Sequence, residues 1–389
     1  MMADEATKIP TILFSDPDIS MAELEAVEEV LKSPCLSAGL KVEEFEDAFA
    51  SYLGRKYAVA VSSATLGLTL VLKANGIVGA EDEVITSSFG FRETSHGIAL
   101  AGAKPVFSDI DYWSGTLPPE KVAARITDKT RAIIVSNTCG HPAAWQAFRE
   151  LASQHNLFLI EDSSEALGSV YQGKLVGNFG DCSIFNLSQP GPITCGEGGM
   201  VVTDDASLAS RLRGLRGRKI EERQSVVLGS MVPYQAVLSD LSAALGLVQI
   251  QRVDEILDRR KDIESYYDAY MQSFEGIKPP YVAPDVDEVH WSFYIVHLGT
   301  RFSRSSRDAI IHDLETEQIE VAAYCQPLHQ QRHYSDLGYR RGEFFVTEKL
   351  ADRAIALPFH GHLTEDQIGF IVQTAKDASI NIGAGAAIY

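Results

Sequence analysis

The sequence predicts an α/β fold, with a large domain whose mostly parallel sheet is flanked by helices and a smaller C-terminal α+β domain. The first observation is that short apolar runs alternate with segments of helical period. Strands that are apolar on both faces are typical of parallel sheets covered by helices. The second observation is the length of 389 residues, which suits a large core and a smaller one. The predicted strands are 57–61, 83–86, 105–107, 132–135 and 157–160.

A first helix is predicted to begin at S-M-A-E, residues 20–23, which has the pattern of a capping box. Apolar side chains spaced by three and four residues form its predicted buried face. They are Met21, Leu24, Val27 and Leu31. A second amphipathic helix follows and ends before Gly54, because glycine suits the left-handed conformation after a helix.

Further along the chain, a helix is predicted at 145–155 and one long helical stretch from 239 to about 274. The C-terminal part combines a strand at 291–298 with helices at 305–317 and 364–377. We therefore divide the chain into an N-terminal arm or helix, a large domain and a small domain. Their predicted bounds are 1–30, 31–255 and 256–389.

The composition excludes several classes of function. A formal charge of -19 argues against a nucleic-acid partner, because binding phosphates requires a basic face. The five cysteines are widely spaced without a C-x-x-C pair, so we expect free thiols and no metal centre. The N-terminus is polar and acidic, unlike a signal peptide, and no apolar run is long enough to span a bilayer. These features predict a cytoplasmic protein.

The most informative segment is residues 180–199, G-D-C-S-I-F-N-L-S-Q-P-G-P-I-T-C-G-E-G-G. It resembles the cofactor segment of the DegT/StrS-type sugar aminotransferases, roughly G-D-x-x-x-F-S-F-x-x-x-K-x-x-T-x-G-E-G-G. The resemblance extends over nearly the whole chain and implies the fold of the fold-type-I pyridoxal-phosphate (PLP) enzymes. Counting back from G-E-G-G, the family's Schiff-base lysine falls at Gly191. Because glycine carries no amine, it cannot form the usual covalent link to PLP.

Two other segments resemble cofactor contacts of the family. A-V-S-S-A-T at 60–65 is similar to the phosphate loop A-V-S-x-G-T, which implies phosphate contacts from Ser63, Ala64 and Thr65. S-S-F-G-F, which ends at Phe91, is similar to P-S-F-x-F/W, which implies that Phe91 stacks on the pyridine ring. Taken alone, the two segments indicate an N-cap and a core aromatic residue. Only the larger pattern favours a cofactor.

The segment I-E-D-S-S-E-A at 160–166 resembles the family's I-E-D-A-A-Q-A. The resemblance implies that Asp162 pairs with the protonated pyridine nitrogen of the cofactor. Glu165 replaces the glutamine that neighbours the cofactor's phenolic oxygen. Since two negative groups repel each other, either Glu165 is protonated or the ring sits differently.

Other positions depart from the family pattern. Asn186 replaces a serine that touches the phosphate, and Gln235 and Val237 replace the N-x-R that the family offers to the neighbouring subunit's site. The lost arginine removes a charge-assisted partner for an anion. These departures favour the interpretation that the whole site, and not Gly191 alone, has diverged from the family pattern. An engineered exchange at Gly191 alone is the less favoured alternative.

Candidates for moving a proton in place of the lysine come partly from Y-C-Q-P-L-H at 324–329. This segment resembles the family's H/Y-x-x-P-L-H, which lines the substrate side. The candidates are Tyr324, His329 and Glu165. For His329, packing without a chemical role is an equal alternative. His141 carries little weight, since it falls at a variable position of the family pattern.

The favoured hypothesis is a family member that binds PLP, or its amine form PMP, without a covalent link. It would act on a sugar nucleotide, amino sugar or cyclitol in a biosynthetic pathway, by non-standard transamination or dehydration-type chemistry. Two alternatives stay open: a non-catalytic pseudoenzyme or partner subunit, and a cofactor-free enzyme that reuses the sugar pocket. The resemblance also implies a homodimer with active sites at the interface.

Overall fold

A computed structural model describes residues 11–37, 39–217, 232–272 and 276–385 of the chain. The first ten residues of the predicted arm and the last two of the predicted long helical stretch lie outside these ranges. The helices in chain order are α1 (Met21–Lys32), α2 (Leu40–Leu53), α3 (Ala64–Ala74), α4 (Arg92–Ala101), α5 (Pro119–Ala123), α6 (Trp145–His155), α7 (Ala206–Arg216), α8 (Asp240–Gln251), α9 (Val253–Met271), α10 (Arg304–Thr316), α11 (Arg332–Ser335), α12 (Phe345–Ala351) and α13 (Glu365–Gly385). The strands are β1 (Tyr57–Val61), β2 (Glu83–Ser87), β3 (Lys104–Ser108), β4 (Thr130–Ser136), β5 (Phe158–Asp162), β6 (Val170–Tyr171), β7 (Lys174–Leu175), β8 (Cys182–Asn186), β9 (Gly199–Thr203), β10 (Ile277–Lys278), β11 (Val286–Glu288), β12 (Tyr294–Leu298), β13 (Ala322–Ala323) and β14 (Ala354–Leu357).

Seven strands form the main sheet, in the order β1-β9-β8-β5-β4-β2-β3. β9 runs antiparallel to both of its neighbours, and every other adjacent pair is parallel. The five strands predicted from the sequence all lie in this sheet, and the predicted mostly parallel α/β architecture is confirmed. The sequence patterns did not identify β8 and β9, the two strands that flank the segment with Gly191.

Strand β4 shows how helices come to cover both faces of the sheet. Successive side chains of a strand point to opposite faces. Ile134 therefore packs into one apolar cluster with α3, α4 and α7. Its neighbours Ile133 and Val135 pack into another cluster with α6. The domain therefore has three layers, with the sheet between two layers of helices.

The capping box at the start of α1 is confirmed, but the predicted buried face of this helix was wrong. Met21, Leu24 and Leu31 are exposed by 65%, 56% and 60%. The side facing the body carries Glu23, which is 1% exposed and accepts hydrogen bonds from Gln249 and Arg252. This polar contact, together with the packing of α1 on α8, turns the apolar side chains outward.

The predicted long helical stretch consists of two helices, α8 and α9, which are separated at Arg252. After them, four strands form an antiparallel sheet in the order β10-β12-β14-β13. Residues of this sheet share one core with α9, α10 and α13. A second sheet with its own core agrees with the predicted small C-terminal domain, although its bounds stay a prediction. No helix in the described ranges is long and apolar enough to cross a membrane.

Candidate active site

A pocket with about 550 Å³ of space lies at the carboxyl ends of the parallel strands. The last residues of β4, β5 and β8 line it, namely Ser136, Asp162 and Asn186. The beginning of α3 lines it as well, with Ala64 and Thr65. Carboxyl ends of parallel strands meet at one edge of a sheet, which is where open α/β sheets bind ligands.

Asp162 is held in a defined orientation in this pocket. Its Oδ2 accepts hydrogen bonds from Thr94 Oγ1 at 2.7 Å and from Ser136 Oγ at 3.2 Å. Its Oδ1 accepts the backbone N–H of Ser164 at 3.1 Å. A carboxylate held by three donors at a pocket wall is suited to pair with a protonated ring nitrogen. Sequence reasoning did not identify these three partners, although Ser136 gives a signal as a polar residue ending an apolar run.

The N-terminus of α3 contributes backbone N–H groups to the pocket. Ser63 is its N-cap, and Ser63 Oγ accepts the N–H of Leu66 at 3.2 Å. The hydroxyl of Ser63 is thus used in capping, whereas Ala64 and Thr65 line the pocket. The first N–H groups of an α-helix have no partner within the helix and attract anions such as phosphate.

Gly199 at the start of β9 allows this helix to come close to the sheet. A Cβ atom at Gly199 would lie 2.5 Å from the backbone nitrogen of Ala64. Glycine is therefore required here for the position of the α3 N-terminus.

Phe91 lines the pocket from the N-cap position of α4. Its ring centroid lies 5.9 Å from that of Phe293 and 6.3 Å from that of Tyr324. These contacts hold the ring from one side, and 37% of the residue stays exposed. An aromatic ring in this situation can cover one face of a planar ligand.

Glu165 also lines the pocket, but it is buried and has few partners. Its carboxylate accepts the hydroxyl of Tyr324, at 2.8 Å from Oε1 and 3.0 Å from Oε2. The N–H of Cys139 donates to Oε2 at 2.9 Å. Burial raises the pKa of Glu165 to about 7, against the lowering effect of these hydrogen bonds. Burial also raises the pKa of Tyr324 well above its ordinary value.

The pocket is acidic. Its described lining residues include Glu93, Asp162 and Glu165, and none of them is a lysine, arginine or histidine. Among the described lining residues, positive potential thus comes from the N-terminus of α3.

Gly191 lies half-buried on the loop between β8 and β9. A Cβ atom at this position would lie 3.4 Å from the carbonyl oxygen of Ile193 and 3.5 Å from that of Ser188. Both are ordinary contact distances, so the backbone tolerates a side chain here. Asn186, near the base of this loop, lines the pocket, and its Oδ1 accepts the N–H and the hydroxyl of Ser188.

Six candidate residues are not among the lining residues, namely Ser63, His141, Gly191, Gln235, Tyr324 and His329. His329 is fully buried, with Nε2 3.1 Å from Glu348 Oε1 and its ring against Phe344. Gln235 is exposed and has a positive φ of 55°. His141 accepts the N–H of Ala283 at Nε2. Within one chain, the structure therefore brings together Ala64, Thr65, Phe91, Asp162, Glu165 and Asn186.

Comparison with known proteins identifies the family. A family model of the DegT/DnrJ/EryC1/StrS aminotransferases matches residues 17–376. The chain belongs to this aminotransferase family. It is 33% identical to the spore coat polysaccharide biosynthesis protein SpsC of Bacillus subtilis, over 94% of this chain and 96% of that protein. It is 34% identical to the GDP-perosamine synthase of Caulobacter vibrioides, over 94% of this chain and 97% of that protein.

Solved structures of the family superpose on nearly the whole chain. The sugar aminotransferase Spr1654 of Streptococcus pneumoniae, in its PMP form, has a TM-score of 0.90 at 25% identity and covers 97% of this chain and 100% of its own. Helicobacter pylori PseC, an aminotransferase in pseudoaminic acid biosynthesis, has a TM-score of 0.88 at 26% identity. The superposition covers 96% of this chain and 100% of PseC. Spr1654 has also been solved in a PLP form. The aminotransferase-like fold expected from the resemblance is confirmed.

Proposed function

We propose that this protein binds PLP or PMP non-covalently and acts on a sugar nucleotide, amino sugar or cyclitol in a biosynthetic pathway. The observation that carries the proposal is Asp162, which three donors hold at the wall of a pocket that also contains a helix N-terminus. Two relatives are a spore coat polysaccharide biosynthesis protein and a GDP-perosamine synthase, so a sugar-like substrate is the natural class.

The residues of the pocket fit a B6 cofactor. The N–H groups at the start of α3 would bind its phosphate, and Asp162 would pair with its ring nitrogen. Phe91 would cover one face of the ring and exclude water from it. When bound, PMP or PLP supplies an electron sink next to the amino or carbonyl carbon of the substrate.

Proton transfer has to be carried out without a lysine at position 191. A positioned proton shuttle contributes roughly 10²–10⁴-fold to a rate, so ordinary transamination without a substitute would be slow. Of these candidates Glu165 lines the pocket, and Tyr324 is connected to it through its hydrogen bond to Glu165. His329 would require a substrate that reaches beyond the pocket lining.

We also propose a homodimer, in the cytoplasm, whose active sites lie at the interface. Met21, Leu24, Leu31 and Leu40 are exposed apolar side chains near one another in the chain, and such exposed groups favour association. Gln235 is exposed rather than turned into its own pocket, as expected of a residue offered to a partner. Light scattering tests this proposal, and a stable monomer at working concentration would rule it out.

Calorimetric titration with PMP and with PLP tests cofactor binding. Charge-assisted hydrogen bonds are worth about 1.5–3 kcal/mol each and ring stacking about 0.5–1.5 kcal/mol. We expect detectable binding of both forms, stronger for PMP, which brings its own amine. Asp162→Ala should weaken it at least tenfold, whereas His141→Gln, outside the pocket, is the matched control. Absence of binding, or an affinity insensitive to Asp162→Ala, would favour the cofactor-free enzyme or the pseudoenzyme instead.

Borohydride reduction tests whether binding is non-covalent. The wild-type chain incubated with PLP should show no pyridoxyl mass after reduction, because Gly191 offers no amine. Gly191→Lys should gain that mass, since the position has room for a side chain. A pyridoxyl group on any lysine of the wild-type chain would contradict this proposal.

A further inference from the structure

Acidic side chains line the pocket in which the anionic cofactor is proposed to bind. PLP and PMP carry a phosphate, whereas the charged side chains among the described lining residues are Glu93, Asp162 and Glu165. A helix N-terminus is equivalent to about half a positive charge. The protonated ring nitrogen would offset Asp162, but about half a positive charge does not offset a phosphate together with Glu165, so binding of this anion favours protonation of an acid in the pocket.

The hydrogen bonds indicate which acid takes the proton. Asp162 has three separate donors, Thr94, Ser136 and Ser164. Glu165 is more deeply buried, and in the described part of the chain it has only two donor groups, the Tyr324 hydroxyl and the Cys139 N–H. Fewer donors and greater burial both disfavour the charged form of Glu165.

The acidic groups that face Glu165 also favour its neutral form. Asp162 and Glu93 raise its pKa through their charges. The thiols of Cys139 and Cys325 lie close to it, and burial raises the pKa of both, so they stay neutral. Tyr324 stays neutral for the same reason.

We propose that binding of PLP or PMP is coupled to the uptake of one proton by Glu165. The proton comes from the buffer and adds to a carboxylate oxygen of Glu165, and no other covalent bond forms or breaks. The neutral carboxyl removes one negative charge beside the incoming anion and becomes a hydrogen-bond donor in the pocket wall. This inference rests on the proposed cofactor binding and adds to it a dependence on pH.

The direction of the pH dependence follows from linkage. With a pKa of about 7, Glu165 of the cofactor-free protein is mostly protonated at pH 6 and mostly ionised at pH 8. Uptake on binding should therefore be small at pH 6 and approach one proton at pH 8. Above pH 7, the Kd of PMP should rise about tenfold for each pH unit through this group alone.

Calorimetric titration of the full chain with PMP tests the inference, in pairs of buffers with different ionisation enthalpies at pH 6 and pH 8. Glu165→Gln is the matched control, because the amide keeps the size of the side chain and cannot titrate. The cofactor's own protonation contributes equally to both proteins and cancels in their difference. We expect the wild type to take up close to one proton more than Glu165→Gln at pH 8, and little more at pH 6.

Tyr324→Phe provides a second variant that keeps Glu165 titratable. The Tyr324 hydroxyl lowers the pKa of Glu165, so its removal should move the onset of proton uptake to higher pH. Equal uptake by wild type and Glu165→Gln, with binding intact, would overturn this inference alone. No PMP binding by either protein would overturn the proposed function and this inference with it.

Discussion

Glu161 and Glu165 are two buried glutamates four residues apart, and their surroundings differ sharply. Glu161 accepts the backbone N–H groups of Gly177, Phe179 and Gly180. It also accepts hydrogen bonds from the side chains of Asn137, Ser163 and Ser183. Among the described residues, Glu165 accepts hydrogen bonds only from the Tyr324 hydroxyl and the Cys139 N–H.

The difference shows how one residue type takes two roles. The donors around Glu161 come from the loop 177–180, from strand β8 and from the residues that directly follow β4 and β5. The carboxylate therefore connects that loop to the sheet. Glu165 has few donors and a pocket on one side, so burial decides its pKa. A carboxylate that accepts many hydrogen bonds stabilises the fold. One that accepts few can change its protonation when a ligand binds.

The largest expected effect is that of Glu161→Gln on stability. The new amide group would point N–H donors at other donors, so several buried hydrogen bonds would be lost at once. We expect the free energy of unfolding to fall by about 3 kcal/mol or more. Urea denaturation measures this loss. A loss below 1 kcal/mol would mean that Glu161 does not hold the loop.

Glu165→Gln should raise the free energy of unfolding, and the size of this increase should depend on pH. Below pH 4.5, its ordinary pKa, the carboxyl is neutral in both the folded and the unfolded chain. Between pH 4.5 and 7 only the unfolded chain ionises, so the stability of the wild type falls as pH rises and levels off above 7. The variant should therefore be more stable than the wild type by up to about 3 kcal/mol at pH 8.

This second prediction is checked by denaturation of both proteins at pH 4 and pH 8. The difference between them should be near zero at pH 4. A variant less stable than the wild type at pH 8 would show that Glu165 stabilises the fold as Glu161 does.

The smallest effect is expected for Tyr324→Phe. Removing one hydrogen bond to Glu165 should cost about 1 kcal/mol and raise the pKa of its carboxyl further. The pH range over which stability falls should therefore extend to higher pH than in the wild type. Denaturation across pH 6 to 9 measures this shift, and an unchanged pH profile would mean that Tyr324 does not influence the titration.

The motifs of the sequence predicted the architecture and much of the pocket. Alternating apolar runs predicted the parallel strands, because burial on both faces leaves a continuous apolar pattern. The family resemblance predicts that Asp162, Phe91, Ala64 and Thr65 share one site, and in the structure they line one pocket. The absence of an amine at Gly191 is likewise a property of the sequence.

Only the tertiary structure decided which groups surround these residues. The apolar pattern of α1 could not show that Glu23 faces the body, because Gln249 and Arg252 lie far away in the chain. The position of His329 beside Glu348 and Phe344 had no sequence signal either.

The sequence likewise could not show what surrounds Glu161, in β5, and Glu165, in the turn after β5. Both are acids in one seven-residue motif, and the sequence alone does not distinguish their surroundings. The loop at 177–180 brings its N–H groups to Glu161, whereas Tyr324 reaches Glu165 from the second half of the chain. The protonation of a buried acid depends on the donors and charges around it, and contacts distant in sequence supply them.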